Sequence, residues 1–161
     1  MMNQKLKKAL GLDRPRTTFA VICIGVAIHF AFPFYIVATG SMDPAIPPGS
    51  FVISVRLPLF PVPIEKNDVA VFRPVEGISP HPWVHRIIAD SGDQFTPPDR
   101  EGRVDVSAEG IGEGRGKSTK SLLIPESYFY QSGDSARSYH GLISKSMVMG
   151  KVLFHFKLPW R

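Results

Sequence analysis

The sequence predicts a mainly β protein with a single N-terminal transmembrane helix followed by a compact all-β domain. Three observations predict it. Residues 17–38 contain no Asp, Glu, Lys or Arg. After Thr39, short β-branched and aromatic runs alternate with Gly/Pro turns. That later part also carries no convincing amphipathic helix, and strands without helices make an all-β architecture. At 161 residues the chain is long enough for one anchored domain and too short for two sizeable cores.

Residues 1–16 carry Lys5, Lys7, Lys8, Arg14 and Arg16 against one acid, Asp13. This basic flank predicts a cytoplasmic N-terminus, with everything after Thr39 on the far side of the membrane. As a helix, residues 17–38 would reach ~33 Å, against a hydrocarbon core of ~30 Å. Pro33 either kinks that helix or marks its emergence, and Tyr35 suits an interfacial anchor. Small residues at Val37–Gly40 offer the rival reading of a cleaved leader. The apolar block exceeds the ~7–15 residues of a usual leader core, which favours a retained anchor. Residues 39–161 are then the extracytoplasmic domain.

Thr39–Val52 reads T-G-S-M-D-P-A-I-P-P-G-S-F-V. Gly40 removes a side chain beside Ser41 and the prolines stiffen the chain beyond it, so the serine is expected on an exposed, rigid turn. A polar linker is the alternative. Phe51–Val55, Val69–Phe72 and Trp83–Ala89 are predicted strands. Between the first two, Leu57–Ile64 holds three prolines, which exclude a central strand and leave an apolar edge or loop. Residues 96–120 are expected to form a mobile surface excursion, with a brief strand at Val104–Val106. Leu122–Pro125 and Tyr128–Tyr130 are further strand candidates, Gly133–Gly141 is a polar turn, and Met147–Phe156 supplies the closing strand.

The net charge of +5 does not imply nucleic acid, because the basic residues beyond the N-terminus are scattered and not interleaved with aromatics. Cys23 is the only cysteine, so no intrachain disulfide forms. The histidines have no zinc-ligand spacing, and neither metal nor cofactor is expected.

A serine hydroxyl needs a base to become a nucleophile. His85 is the best candidate, since it sits in an otherwise apolar strand and is followed by Arg86. His81 and His140 are read in loops, and His155 near the end of the chain. At an unperturbed pKa of ~6.5, a histidine base predicts activity that falls as pH drops from about 8 to 5.

Taken in order, these segments resemble the boxes of the type I signal peptidases. Gly40-Ser41-Met42-Asp43-Pro44 with Gly49 is similar to the S-M-x-P nucleophile box. Asn67-Asp68-Val69-Ala70-Val71-Phe72 resembles a G-D-hydrophobic-V-F strand, with Asn in place of the glycine. His85-Arg86-Ile87-Ile88 through Gly92-Asp93 resembles the box that carries the base. Gly133-Asp134-Ser135 is similar to the start of the final box, and Gly141 and Gly150-Lys151 to its end.

The resemblance implies a signal-peptidase-like β domain and a membrane-bound serine endopeptidase. Its partners would be precursor proteins with leader peptides and the lipid bilayer, without nucleic acid. It would lie in the inner (plasma) membrane as a single-pass protein, with the catalytic domain on the outer (periplasmic) side. Ser41 becomes the nucleophile and His85 the general base, where bacterial members usually carry lysine. Asp134 is the first choice for an acid orienting His85, the alternative being a turn aspartate that caps its own backbone. Ser138 resembles the serine that positions the base, although the final box is shortened and lacks an uninterrupted Asp-Ser-Arg. The Ser41 backbone N–H and the Thr39 hydroxyl are the implied oxyanion donors. A conjugative-transfer peptidase maturing a pilin-like subunit is a subclass alternative, suggested by the compact chain. A non-catalytic single-pass protein with a partner-binding β domain is the alternative of another class.

Overall fold

The computed structural model describes residues 15–112 and 120–157. Lys5, Lys7, Lys8, Asp13 and Arg14 of the basic N-terminus lie outside the described residues, as do residues 113–119 of the expected excursion.

Helix α1 (Pro15–Ala31) is apolar on every side, and Phe19, Val21, Ile22, Ile24 and Val26 are all exposed. Its 17 residues span about 25 Å, and among the described residues no helix is long and apolar enough to cross a membrane. The predicted span of residues 17–38 is therefore corrected to a shorter helix followed by a strand. The cause is Pro33, which has no N–H to give a further helical turn. The last helical bond runs from Phe32 N to Ile28 O at 2.8 Å, and Pro33 O instead accepts the N–H of Ser54 at 3.1 Å. Phe34–Ile36 then forms β1, antiparallel to β2 (Phe51–Arg56) with Tyr35 opposite Val52.

The remaining elements in chain order are β3 (Val69–Phe72), β4 (Trp83–Ala89), β5 (Gln94–Phe95), β6 (Val106–Ser107), β7 (Gly110–Ile111), β8 (Leu122–Leu123), β9 (Tyr128–Ser132), β10 (His140–Ser144) and β11 (Val148–Phe156). Nine strands form one sheet in the order β1-β2-β11-β3-β4-β9-β10-β6-β7, and β5 pairs with β8 apart from it. Every pairing is antiparallel except β6 beside β10, where Val106 faces Ile143. The domain is thus mainly β.

Two clusters of side chains bear on the serine turn and on β4. Ala70, Phe72, Ile87, Val106, Phe129 and Ile143 fill the larger one. Val37, Met42, Ile46, Val52, Val71 and Val84 fill the second. Alternation along β3 and β4 sends neighbouring residues to opposite faces, so Val71 and Val84 serve one cluster while Ala70 and Ile87 serve the other. Asn67, standing where a glycine was expected by resemblance, has φ +74°, a left-handed conformation that asparagine tolerates better than most residues.

Three loop expectations are refined. Leu57 and Ile64 pack against the larger core, whereas Leu59 and Phe60 are exposed, and Phe60 stacks on Phe32 with ring centroids 5.7 Å apart. Within the expected excursion, Val106–Ser107 and Gly110–Ile111 join the sheet as the β6–β7 hairpin. The turn expected to run to Gly141 ends earlier, because β10 begins at His140 and pairs with Ser132.

Residues Val37–Ser50 form a loop closed at its base. Val37 donates to Ser50 O at 2.9 Å, and Gly49, at φ +81°, returns a bond to Val37 O at 2.7 Å. Met42 and Ile46 plug this loop into the second core with no exposed surface. Truncation of Met42→Ala is expected to cost roughly 2–5 kcal/mol, as for other large buried side chains, measured by denaturant unfolding. An unchanged unfolding midpoint would contradict the anchoring role assigned to Met42.

Candidate active site

Ser41 lies in a single 3₁₀ turn, Gly40–Met42, entered from an extended Thr39. The turn is held by Asp43 N to Gly40 O at 3.2 Å and Ile46 N to Met42 O at 2.8 Å. Burial of Met42 on one side and the small Gly40 on the other leave Ser41 half-exposed at the surface. Thr39 Oγ1 lies 3.5 Å from Ser41 Oγ, at the outer limit of a hydrogen bond.

His85 is buried on β4, and both ring nitrogens are engaged. Nδ1 meets Oε1 of Gln131 on β9, and Nε2 lies 3.2 Å from Oγ of Ser138. The ring's pKa is lowered to about 4, chiefly by burial, with Arg100 adding to the depression. Its contact with Gln131 and the negative charge of Asp134 oppose the shift and are outweighed. A base must be neutral to accept a proton, so the ring is ready for that role down to nearly pH 4. This displaces the pH window that an unperturbed imidazole predicts, moving it well below the expected fall between pH 8 and 5.

Asp134 does not hold His85 by a hydrogen bond. Its two oxygens take a bidentate pair from Arg86, with Nε to Oδ1 at 2.9 Å and Nη2 to Oδ2 at 2.7 Å. Adjacent residues on a strand point to opposite faces, so Arg86 carries Asp134 away from the His85 side. The neutral amide of Gln131 instead occupies the place where a carboxylate was expected.

Two features bind the turn after β9 to the serine loop, and a third braces that turn from outside. Ser135 N donates to Ser41 O at 3.0 Å. Gly133 lies so close that a Cβ there would come within 1.9 Å of Ser138 Oγ and 2.4 Å of Ser41 O. Arg100, from the segment read as a mobile excursion, donates Nη1 to Ser135 O at 2.9 Å and Nη2 to Ser132 Oγ and Gly133 O. Sequence reasoning missed Gln131 and Arg100, and it placed Gly133 in the final box without showing the close approach that requires a glycine there. For Gln131 a signal existed, namely one amide at the end of the aromatic run Tyr128-Phe129-Tyr130.

Ser41, His85, Gln131 and Ser138 line one cleft of about 430 Å³. Its apolar wall is made by Ile78, Trp83, Val104 and Val106. A second cleft of about 280 Å³ begins at Thr39 and Ser41 and runs along β1 toward His81 and Trp83. Ser41 therefore stands between two grooves, as a residue acting on a chain that passes across it would. Of the other histidines, His81 and His155 are exposed. His140 is buried, with Nδ1 2.7 Å from the Tyr130 hydroxyl and Nε2 3.3 Å from Arg100 O.

Gly133→Ala is expected to lower turnover at this centre by about 100-fold or more, since a displacement near 1 Å at a reacting group typically has that effect. Circular dichroism and kcat measured on the same preparation check this. A folded Gly133→Ala protein with normal kcat would refute the tight seam between the two turns.

A comparison with curated proteins gives no match. A comparison with known families matches residues 14–123 to the one described as signal peptidase, peptidase S26. The match covers more than half of the chain and contains both Ser41 and His85. A match over that share of the chain leads to one assignment: the chain belongs to the S26 signal peptidase family, whose members are peptide-bond hydrolases that process leader-bearing precursors.

Proposed function

We propose that this protein is a membrane-bound serine endopeptidase that removes leader peptides from exported or membrane-inserted precursors, with Ser41 as nucleophile and His85 as general base. The observation that carries the reading is the cleft shared by Ser41 and a histidine kept neutral by burial. An extended precursor crosses Ser41 from one groove to the other, adding backbone contacts beside β1. Ser41 attacks the scissile carbonyl and its proton passes to Nε2 of His85, which at rest faces the Ser138 hydroxyl. The Ser41 N–H and the Thr39 hydroxyl stabilise the oxyanion, where one such donor is worth ~2.7–4 kcal/mol of barrier. His85 returns the proton to the leaving amine, and water then hydrolyses the acyl-enzyme by the same base.

A surface of exposed apolar side chains supports the membrane setting. It joins α1 to Phe34, Ile36, Leu59, Phe60, Phe154 and Phe156. In this reading α1, at about 25 Å short of a ~30 Å hydrocarbon core, enters the bilayer with local thinning making up the difference, the basic N-terminus on the cytoplasmic side and the aromatic face of the domain on the outer leaflet. The active site then meets a precursor still held by its own apolar segment.

Cleavage of a leader-bearing precursor by wild type, Ser41→Ala and His85→Ala tests the chemistry. Each variant should lose at least about 1,000-fold in kcat/KM. Cleavage retained by Ser41→Ala would sink the mechanism. The neutral ring is the active form and its pKa is about 4, so kcat/KM should stay flat from pH 8 to about 5 and fall below that. A midpoint near 6.5 would show that the ring is not desolvated as described. For the membrane setting, the full chain expressed in a bacterial cell should stay in the membrane fraction after alkaline carbonate washing. Recovery in the soluble fraction would count against it.

A further inference from the structure

We infer that Gln131 is the positioning residue of this site, its amide carbonyl fixing His85 as the Nδ1–H tautomer so that Nε2 presents a lone pair toward the serine. The inference rests on the proposed Ser41–His85 chemistry and adds to it a third member that is uncharged. The sheet register creates the contact. On the paired strands Ile87 faces Gln131, and His85, two residues before Ile87, projects from the same face. Gln131 thus reaches His85 diagonally, which suits a long side chain. Both residues are buried, and Gln131 Oε1 is on Nδ1. An amide oxygen accepts and never donates, so the proton sits on Nδ1 and Nε2 is left to accept. The Ser138 hydroxyl, 3.2 Å from both Nε2 and Tyr139 O, can turn its proton toward that lone pair.

The charged groups around the ring account for a neutral partner being sufficient. Asp134 attracts a proton to His85, but its carboxylate is already paired with Arg86. Arg100 opposes protonation, and its guanidinium is held on Ser132, Gly133 and Ser135. With no carboxylate on Nδ1, the resting ring stays neutral across the ordinary pH range, and Gln131 supplies orientation without raising basicity.

The experiment combines nitrogen NMR of the His85 ring in the full-length Ser41→Ala protein with kinetics of Gln131→Leu, Gln131→Glu and His85→Ala. Expected are a ring protonated at Nδ1 at pH 7, and a kcat for Gln131→Leu about 10- to 100-fold below wild type with KM unchanged. Gln131→Glu, which keeps an acceptor and adds a charge, should recover most of that kcat and move the acid limb of the pH profile upward by more than one unit. A ring protonated at Nε2 overturns the inference even if the Leu variant does not fold. So does a Gln131→Glu protein whose acid limb stays in place. Loss of cleavage in His85→Ala with full kcat in Gln131→Leu overturns the inference alone, whereas full cleavage by His85→Ala overturns it together with the chemistry it rests on.

Discussion

The backbone carbonyl of Ser41 is the joint on which this domain's site depends. It accepts a hydrogen bond from Ser135, a residue far away in the chain, across a gap that only a glycine at position 133 leaves open. Through that joint the loop carrying the serine is fixed to the end of β9, and β9 is fixed by register to the strand carrying His85. A hydroxyl on a short 3₁₀ turn has little rigidity of its own. Here it gains rigidity from the core beneath, through Met42 and Ile46, and from the neighbouring turn above.

Burial sets the electrostatics of the same place. A histidine removed from water favours its neutral form, and surrounding it with an amide and a hydroxyl keeps it there. Asp134 is committed to Arg86, and the Arg100 guanidinium donates to the Ser132 hydroxyl and to the carbonyls of Gly133 and Ser135. The carboxylate near the ring is therefore neutralised by Arg86, whereas the Arg100 cation, held by uncharged oxygens, still disfavours a proton on His85. That differs from a triad in which an aspartate on Nδ1 stabilises the imidazolium directly. In the proposed role of general base, such a ring would be weaker but would stay unprotonated under more acidic conditions.

What could be read from the sequence follows from the range of the forces involved. The strand at Trp83–Ala89 was legible residue for residue, because β-branched and aromatic side chains alternate there between two buried faces. Ser41 and His85 stood out by local pattern. β1 did not, since Phe34–Ile36 continues an apolar run and periodicity cannot separate a buried strand from the end of a helix. β10 was hidden because it opens with His140 and Gly141, both fully enclosed by contacts distant in sequence. The exchange of Asp134 for Gln131 at His85 was invisible for the same reason. It depends on which strand lies beside β4 and in what register, and no spacing along the chain encodes that.

Arg100 gives the segment before β6 a meaning its composition conceals. Rich in Pro, Gly and charge, that stretch looks like material an engineer would trim to obtain a minimal domain. The guanidinium of Arg100 donates to Ser132, Gly133 and Ser135, and Ser135 in turn donates to the carbonyl of Ser41. Shortening the protein there would leave every reactive group in the sequence and remove the brace that keeps them aligned.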